Sequence, residues 1–357
     1  MKALNSLLAV LVLGSLSAPG LAGPVGPFGQ TTLASSASDP DLVNPWGTSF
    51  SSASPFWISD NGTGRATLYN SLGVKQGLVV TMPMGAEPVT GQVFNGTSSF
   101  NADLFMFASE NGTIAGWRGA LGTTAETLFS VNGANYKGLA ISTDKATLYA
   151  ANFAAGTIDI FGPAGLTFSV ADTTVPAGYR PFNVQNVGGR LYVTFAFSSD
   201  GHDDMSGAGH GFVKVFDPVA RTFANLVSQG SLDSPWGLAF APVGFGTLGG
   251  DLLVGNFGDG KINAFDPITG ALIGTLADAA SNPLVIDGLW GLTFGNGGNG
   301  GSTASLYLTA GPDDESGGLF ARIDNLAAAV PEPETWALMA GGLALLLAAR
   351  RRRSTAR

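Results

Sequence analysis

Three stretches of this chain share one rhythm: NPWGTSF at 44–50, SPWGLAF at 234–240 and GLWGLTF at 288–294. Three more keep the frame with other residues: PVTGQVF from Pro88, YKGLAIS from Tyr136 and RPFNVQ from Arg180. Setting the tryptophan place in register gives Trp46, Val89, Lys137, Phe182, Trp236 and Trp290, at spacings of 43, 48, 45, 54 and 54 residues. A unit that returns at nearly fixed spacing is a structural repeat, and it decides the fold before any single motif does.

Each unit continues in the same way. A half-buried strand follows, as in FWISDN (56–61), LYAANF (148–153) and LLVGNF (252–257). After a Gly-rich turn comes a third strand, as in GTIDIFG, GFVKVFD and GKINAFD, whose alternation turns one face inward. Most units add a fourth, such as GLVVTMP (77–83) or LIGTLAD (272–278). Four strands per unit, six units and no helical period predict an all-β fold, a six-bladed β-propeller of four-stranded blades. The sixth unit has no fourth strand after GGLFARI, while FGQTTLAS (28–35) precedes the first unit without a partner. The N-terminal strand is therefore expected to complete the last blade and close the ring, which removes open strand edges. A pair of β-sandwiches is the competing architecture, and the regular repeat argues against it.

Both ends of the chain read as targeting segments. Lys2, the apolar LLAVLVLGSL (7–16) and the small residues GLA (20–22) make a secretory signal peptide over 1–22. The propeller then spans 23–326. The segment 327–357 contains Pro331-Glu332-Pro333, an apolar run from Trp336 to Ala349 and Arg350, Arg351, Arg352 and Arg353. The run is expected as a short C-terminal hydrophobic helix over 336–349. It falls below the roughly 20 residues of a comfortable membrane span. The arginines would act as a stop-transfer cluster on the cytoplasmic side. A buried C-terminal helix is the competing reading, and four arginines beside it would be poorly placed.

This three-part tail resembles the PEP-CTERM sorting signal of Gram-negative bacteria. The resemblance implies an exosortase-type processing enzyme as partner, transient residence in the inner membrane, and export to the envelope or the extracellular matrix. It also implies a link to exopolysaccharide or biofilm. PVTGQVFN, YKGLA, PFNVQN, SPWGLAFAPVGFG, LLVGNFGDGKINAFDP and GLWGL, spread over 40–323, resemble an uncharacterised bacterial propeller family that often ends in such tails. That likeness implies six blades and export, and brings no catalytic residue with it.

Composition narrows the partners. The net charge is -9, with 12% charged residues, 52 glycines and no cysteine. Removing the two ends takes away Lys2, Arg350 to Arg353 and Arg357, so the exported domain is more acidic still. Such a surface repels nucleic acid, and disulfides play no part.

Two places can carry chemistry. Propellers use the mouth of the central channel, where Trp46, Lys137, Phe182, Trp236 and Trp290 are placed by the repeat. Flat aromatic faces there would suit stacked sugar rings. The same positions also serve as wedges between blades. The loop SSDGHDDMSGAGHG (198–211) holds Asp200, Asp203 and Asp204 with His202 and His210. Hard oxygen ligands on a Gly-rich loop would suit Ca²⁺, although the spacing matches no EF-hand or zinc pattern. The acidic GPDDESGG (311–318) is the corresponding turn two blades on. Asp233 and Asp287 stand three residues before their tryptophans. No Gly-x-Ser-x-Gly and no His-Glu-x-x-His is present. The sequence thus favours a ligand-binding or scaffold module. The alternative is a Ca²⁺-dependent lactonase-type hydrolase with inward carboxylates in the channel.

Overall fold

The structure, a computed structural model, describes residues 22–326. All but the last residue of the signal-peptide segment lies outside the described residues. So do Pro331-Glu332-Pro333, the apolar run 336–349 and Arg350 to Arg353.

Six sheets are arranged as blades. Their innermost strands are Pro45–Ser49, Val89–Phe94, Tyr136–Ile141, Tyr179–Val187, Pro235–Phe240 and Leu289–Phe294. Each blade runs outward by antiparallel pairing in chain order, as the alternation predicts. The last blade is closed by the N-terminal strand Phe28–Ser35, which pairs antiparallel with Leu319–Asn325 from Phe28↔Asn325 to Ser35↔Leu319. The fifth blade carries one strand that the repeat does not announce. Pro24–Val25 lies parallel to Leu272–Leu276 at its outer edge. Two residues are too short to leave a period in the sequence.

Apolar side chains fill the spaces between blades. Trp57 stacks on Phe105 at 4.0 Å and meets Trp117 at 4.8 Å, sealing blade one to blade two. Phe28 stacks on Phe245, so the closing strand also joins the core between blades five and six.

The repeated motif acquires its meaning at the axis. All six inner strands break register at the same place, between Pro45 and Thr48, Val89 and Gln92, Tyr136 and Gly138, Pro181 and Asn183, Pro235 and Gly237, and Leu289 and Leu292. A bulge re-aims the extra side chain, here toward the axis. In blade two the bulge assigns this place to Thr90, next to Gly91, and corrects the sequence alignment on Val89 by one residue. The glycine that follows is a close-approach position. A Cβ on Gly47 would lie 2.7 Å from Thr90 O, one on Gly91 2.5 Å from Leu139 N, and one on Gly237 2.5 Å from Trp290 O. Blade four has Asn183 instead, and its Nδ2 donates to Trp236 O at 2.8 Å. The ring is thus drawn to a waist at which neighbouring backbones touch. Gly91→Ala is expected to cost about 1–3 kcal/mol through overpacking against backbone. A lowered urea midpoint at unchanged slope would report it, and an unmoved midpoint would refute the waist.

Inner strands all run the same way, which defines two faces. Turns leading into the inner strands, and those between second and third strands, make the upper face. Turns between first and second, and between third and outer strands, make the lower face.

Candidate functional site

Above the waist the channel is closed by aromatic rings. Trp46 and Trp290 stack with centroids 3.6 Å apart, and Trp236 meets both edge-on at 6.0 and 5.8 Å. Phe182 packs on Trp290, Phe257 covers that ring's surface at 4.1 Å, and Phe153 backs Phe182. The three tryptophans are at most 4% exposed. The structure brings these residues together at the axis, where their faces are taken up by one another and present no open platform. Trp236 Nε1 donates to Lys137 O at 3.1 Å and Trp290 Nε1 to Asn44 Oδ1 at 2.9 Å.

Lys137 stands over this plug, buried, with its ammonium 5.4 Å from the Trp46 ring centre and 5.7 Å from that of Phe153. It donates to Glu110 and lies 3.6 Å from Asp203. Asn61 bridges Glu110 to Asn44, which in turn holds Glu315. The acidic turns of blades four and six therefore do share one face. Burial pushes the carboxyls of Asp204 and Glu315 above the ordinary range, against the pull of Lys137.

The proposed cation ligands do not converge. Asp200 accepts from the backbone of His202 and Asp203 and so closes a turn. Asp203 faces Lys137 and His202, and only Asp204 is directed into the mouth with a buried, unpartnered oxygen. Among the described residues, no three His, Cys, Asp or Glu side chains are grouped to hold a metal ion. The Lys137 ammonium is the cation paired with these carboxylates. Asp233 caps the same loop by accepting from Gly207 N at 2.7 Å, and Asp287 accepts from Asp313 N at 2.9 Å.

Below the waist the channel opens. A cavity of ≈ 560 Å³ there is lined by Trp236 and by residues of the inner strands. Its wall mixes hydroxyls and amides of the inner strands, among them Thr48, Gln92, Asn183, Gln185 and Asn186, with apolar side chains such as Phe50, Leu139 and Leu292, and Lys145 is at the rim. Among the described residues, no carboxylate lines it. Gln92 and Asn183 are committed to backbone oxygens of neighbouring strands. Thr48 Oγ1 is buried without a partner, and among the described residues the Gln185 amide has none either. Asn186 uses its Nδ2 on Ile141 O and Thr143, leaving its side-chain oxygen to the cavity. Burial pushes the Lys145 ammonium pKa down. A second cavity of ≈ 340 Å³ shares Thr143, Asn186 and Gly189 with the first. Sequence reading missed this wall. Its one signal was the polar residue a step or two beyond the bulge, at Thr48, Gln92, Gln185 and Thr293.

Known proteins match this chain along its length and at its tail. It is 32% identical over 279 residues to the uncharacterized protein R648 of Acanthamoeba polyphaga mimivirus, spanning 71% of this chain and 69% of that one. The chain belongs to the family of that protein. A second mimivirus relative, uncharacterized protein L690, is 29% identical over 79% of this chain and 80% of its own length. Neither family relative has a stated activity. Residues 329–353 match the PEP-CTERM protein-sorting motif, so this member is exported and sorted to the cell envelope, with an exosortase-type enzyme as the implied processing partner. Among solved structures it resembles streptogramin B lyase, with a TM-score of 0.53 at 9% identity over 84% of this chain and 98% of that one. A Bacteroides thetaiotaomicron protein of unknown function gives 0.52 at 11% identity, over 83% and 76%. At such identities the likeness concerns the fold alone.

Proposed function

We propose that this protein is a secreted binding module that takes an uncharged, hydroxyl-rich ligand, a segment of neutral polysaccharide, into the lower cavity. The observation that carries the reading is the cavity wall. Its volume is that of a small-ligand site, its free polar groups are hydroxyls and amides set among apolar faces such as Phe50 and Trp236, and among the described residues its one charge is Lys145. Free polar groups at the wall, the Gln185 amide and the Asn186 side-chain oxygen, are where a ligand hydroxyl finds a hydrogen bond. A lactonase-type reading would need inward carboxylates around a metal, and this wall has none. In the same reading residues 1–22 are removed as a signal peptide. Residues 336–349 hold the chain in the inner membrane until the tail is processed, and the released propeller joins the extracellular matrix.

Titration of residues 23–330 with neutral polysaccharide from the producing cell, followed by tryptophan fluorescence, tests the binding. Trp236 at the cavity floor makes the signal. Gln185→Ala should weaken binding about tenfold, or ~1.4 kcal/mol, by removing one ligand hydrogen bond. An unchanged Kd in that variant, or no saturable signal with neutral glycans, would remove the proposal.

A further inference from the structure

The two faces of the propeller differ in chemistry, and the tail leaves from one of them. Carboxylates crowd the upper turns, including Asp41, Glu110, Asp203, Asp233, Asp287 and Asp314. Lower turns are nearer balance, with Asp103, Asp144, Asp217, Asp251 and Asp266 set against Arg118, Lys145, Arg190 and Arg221. The lower turns also expose apolar tips. Val219 is 92% exposed, Val243 91% and Ile268 82%, and Leu72, Val74, Phe240 and Leu326 join them, against Met84, Met205 and Val285 on the upper turns. The third strand of blade six ends at Asn325, just before Leu326, so the chain passes toward its tail from the lower face.

Only residues 327–335 separate that point from the apolar run beginning at Trp336. Fully extended, such a segment reaches about 30 Å. A five-residue strand with its turns stands roughly 25 Å tall, so a tether bent around the rim would be spent before the upper face met a membrane. The upper face would also carry its carboxylates toward anionic headgroups, which repel them.

We infer that, while the tail is in the bilayer, the lower face of the propeller rests on the membrane surface with its apolar turn tips at the headgroups. The central cavity is then covered, and processing of the tail uncovers it. Val219, Val243 and Ile268 supply apolar contact of the kind that seats peripheral proteins on lipid. This rests on the anchoring and binding readings above, and it adds a timing to them: an anchored chain cannot take a polymer into its cavity, and a processed one can.

The chain has no cysteine, so single substitutions report position without background. The full chain would carry Val243→Cys, Val219→Cys or, as upper-face control, Met84→Cys, which is 96% exposed. Each is labelled with an environment-sensitive fluorophore and reconstituted in phosphatidylethanolamine–phosphatidylglycerol vesicles. Emission at positions 219 and 243 should shift to the blue and be quenched by nitroxide-labelled lipid, with position 84 unaffected. If the protein floats with the vesicles but positions 219 and 243 behave like 84, the orientation is wrong and anchoring stands. If it does not float, the anchoring reading fails and the orientation falls with it.

Discussion

A chain beginning at Ser36 will not accumulate as a folded monomer. The strand Phe28–Ser35 is the outer strand of blade six, and its loss leaves Leu319–Asn325 with a bare edge along seven residues. It also removes Phe28 from the core between blades five and six, where that ring is buried against Phe245. Deleting a buried Phe alone costs about 3–5 kcal/mol, comparable with much of the net stability of an ordinary domain. The freed edge is in addition a template for pairing with another chain. Aggregation on expression, rescued by supplying residues 23–35 as a peptide, is the expected result. A soluble, cooperatively unfolding monomer would show that the ring is sealed elsewhere.

Lys137→Met will be the most damaging single substitution at the upper mouth. The ammonium is buried, and it compensates Glu110 directly and Asp203, Asp204 and Glu315 at longer range. Methionine keeps the packing against Trp46 and Phe153 but leaves those carboxylates without a cation. Removing one partner from a buried pair costs about 3 kcal/mol or more. The pH dependence follows from the direction of the shifts. Asp204 and Glu315 have folded-state pKa values above their unfolded ones, so the folded protein binds more protons in that interval. Stability therefore falls as pH rises through it and recovers on acidification. The variant should be least stable near pH 7 and regain part of its loss toward pH 5, measured as the urea midpoint. A loss that does not depend on pH would assign Lys137 to packing alone.

The architecture was legible because its signals are local. Alternation in IDIF and VKVF, turns rich in glycine and the returning Trp-Gly frame each act over a few residues. Even ring closure could be read, since FGQTTLAS lacked a partner at one end and blade six lacked a strand at the other. The site was less legible because it exists only after closure. Trp46 and Trp290 are far apart in the chain, and nothing in either motif says that the two rings will stack at the axis and cover each other. Val89 was aligned one residue off, because a bulge changes register without changing composition. The cavity wall was hidden for another reason. Thr48, Gln185 and Thr293 look like the solvent-facing ends of ordinary strands until five such ends and Trp236 enclose a common space. Asp200, Asp203 and Asp204 drew attention as a cluster, yet consecutive residues on a turn diverge. One closes the turn, one faces Lys137 and one enters the mouth.

The most direct test of where this propeller binds is a crystal of residues 23–330 soaked with a neutral oligosaccharide from the producing cell's matrix. The ligand should lie in the lower cavity, within hydrogen-bond reach of Asn186 and Gln185, with its innermost ring toward Trp236. A ligand seated instead at the Lys137 end, among Glu110, Asp204 and Glu315, would contradict the account and return the upper mouth to the centre of it.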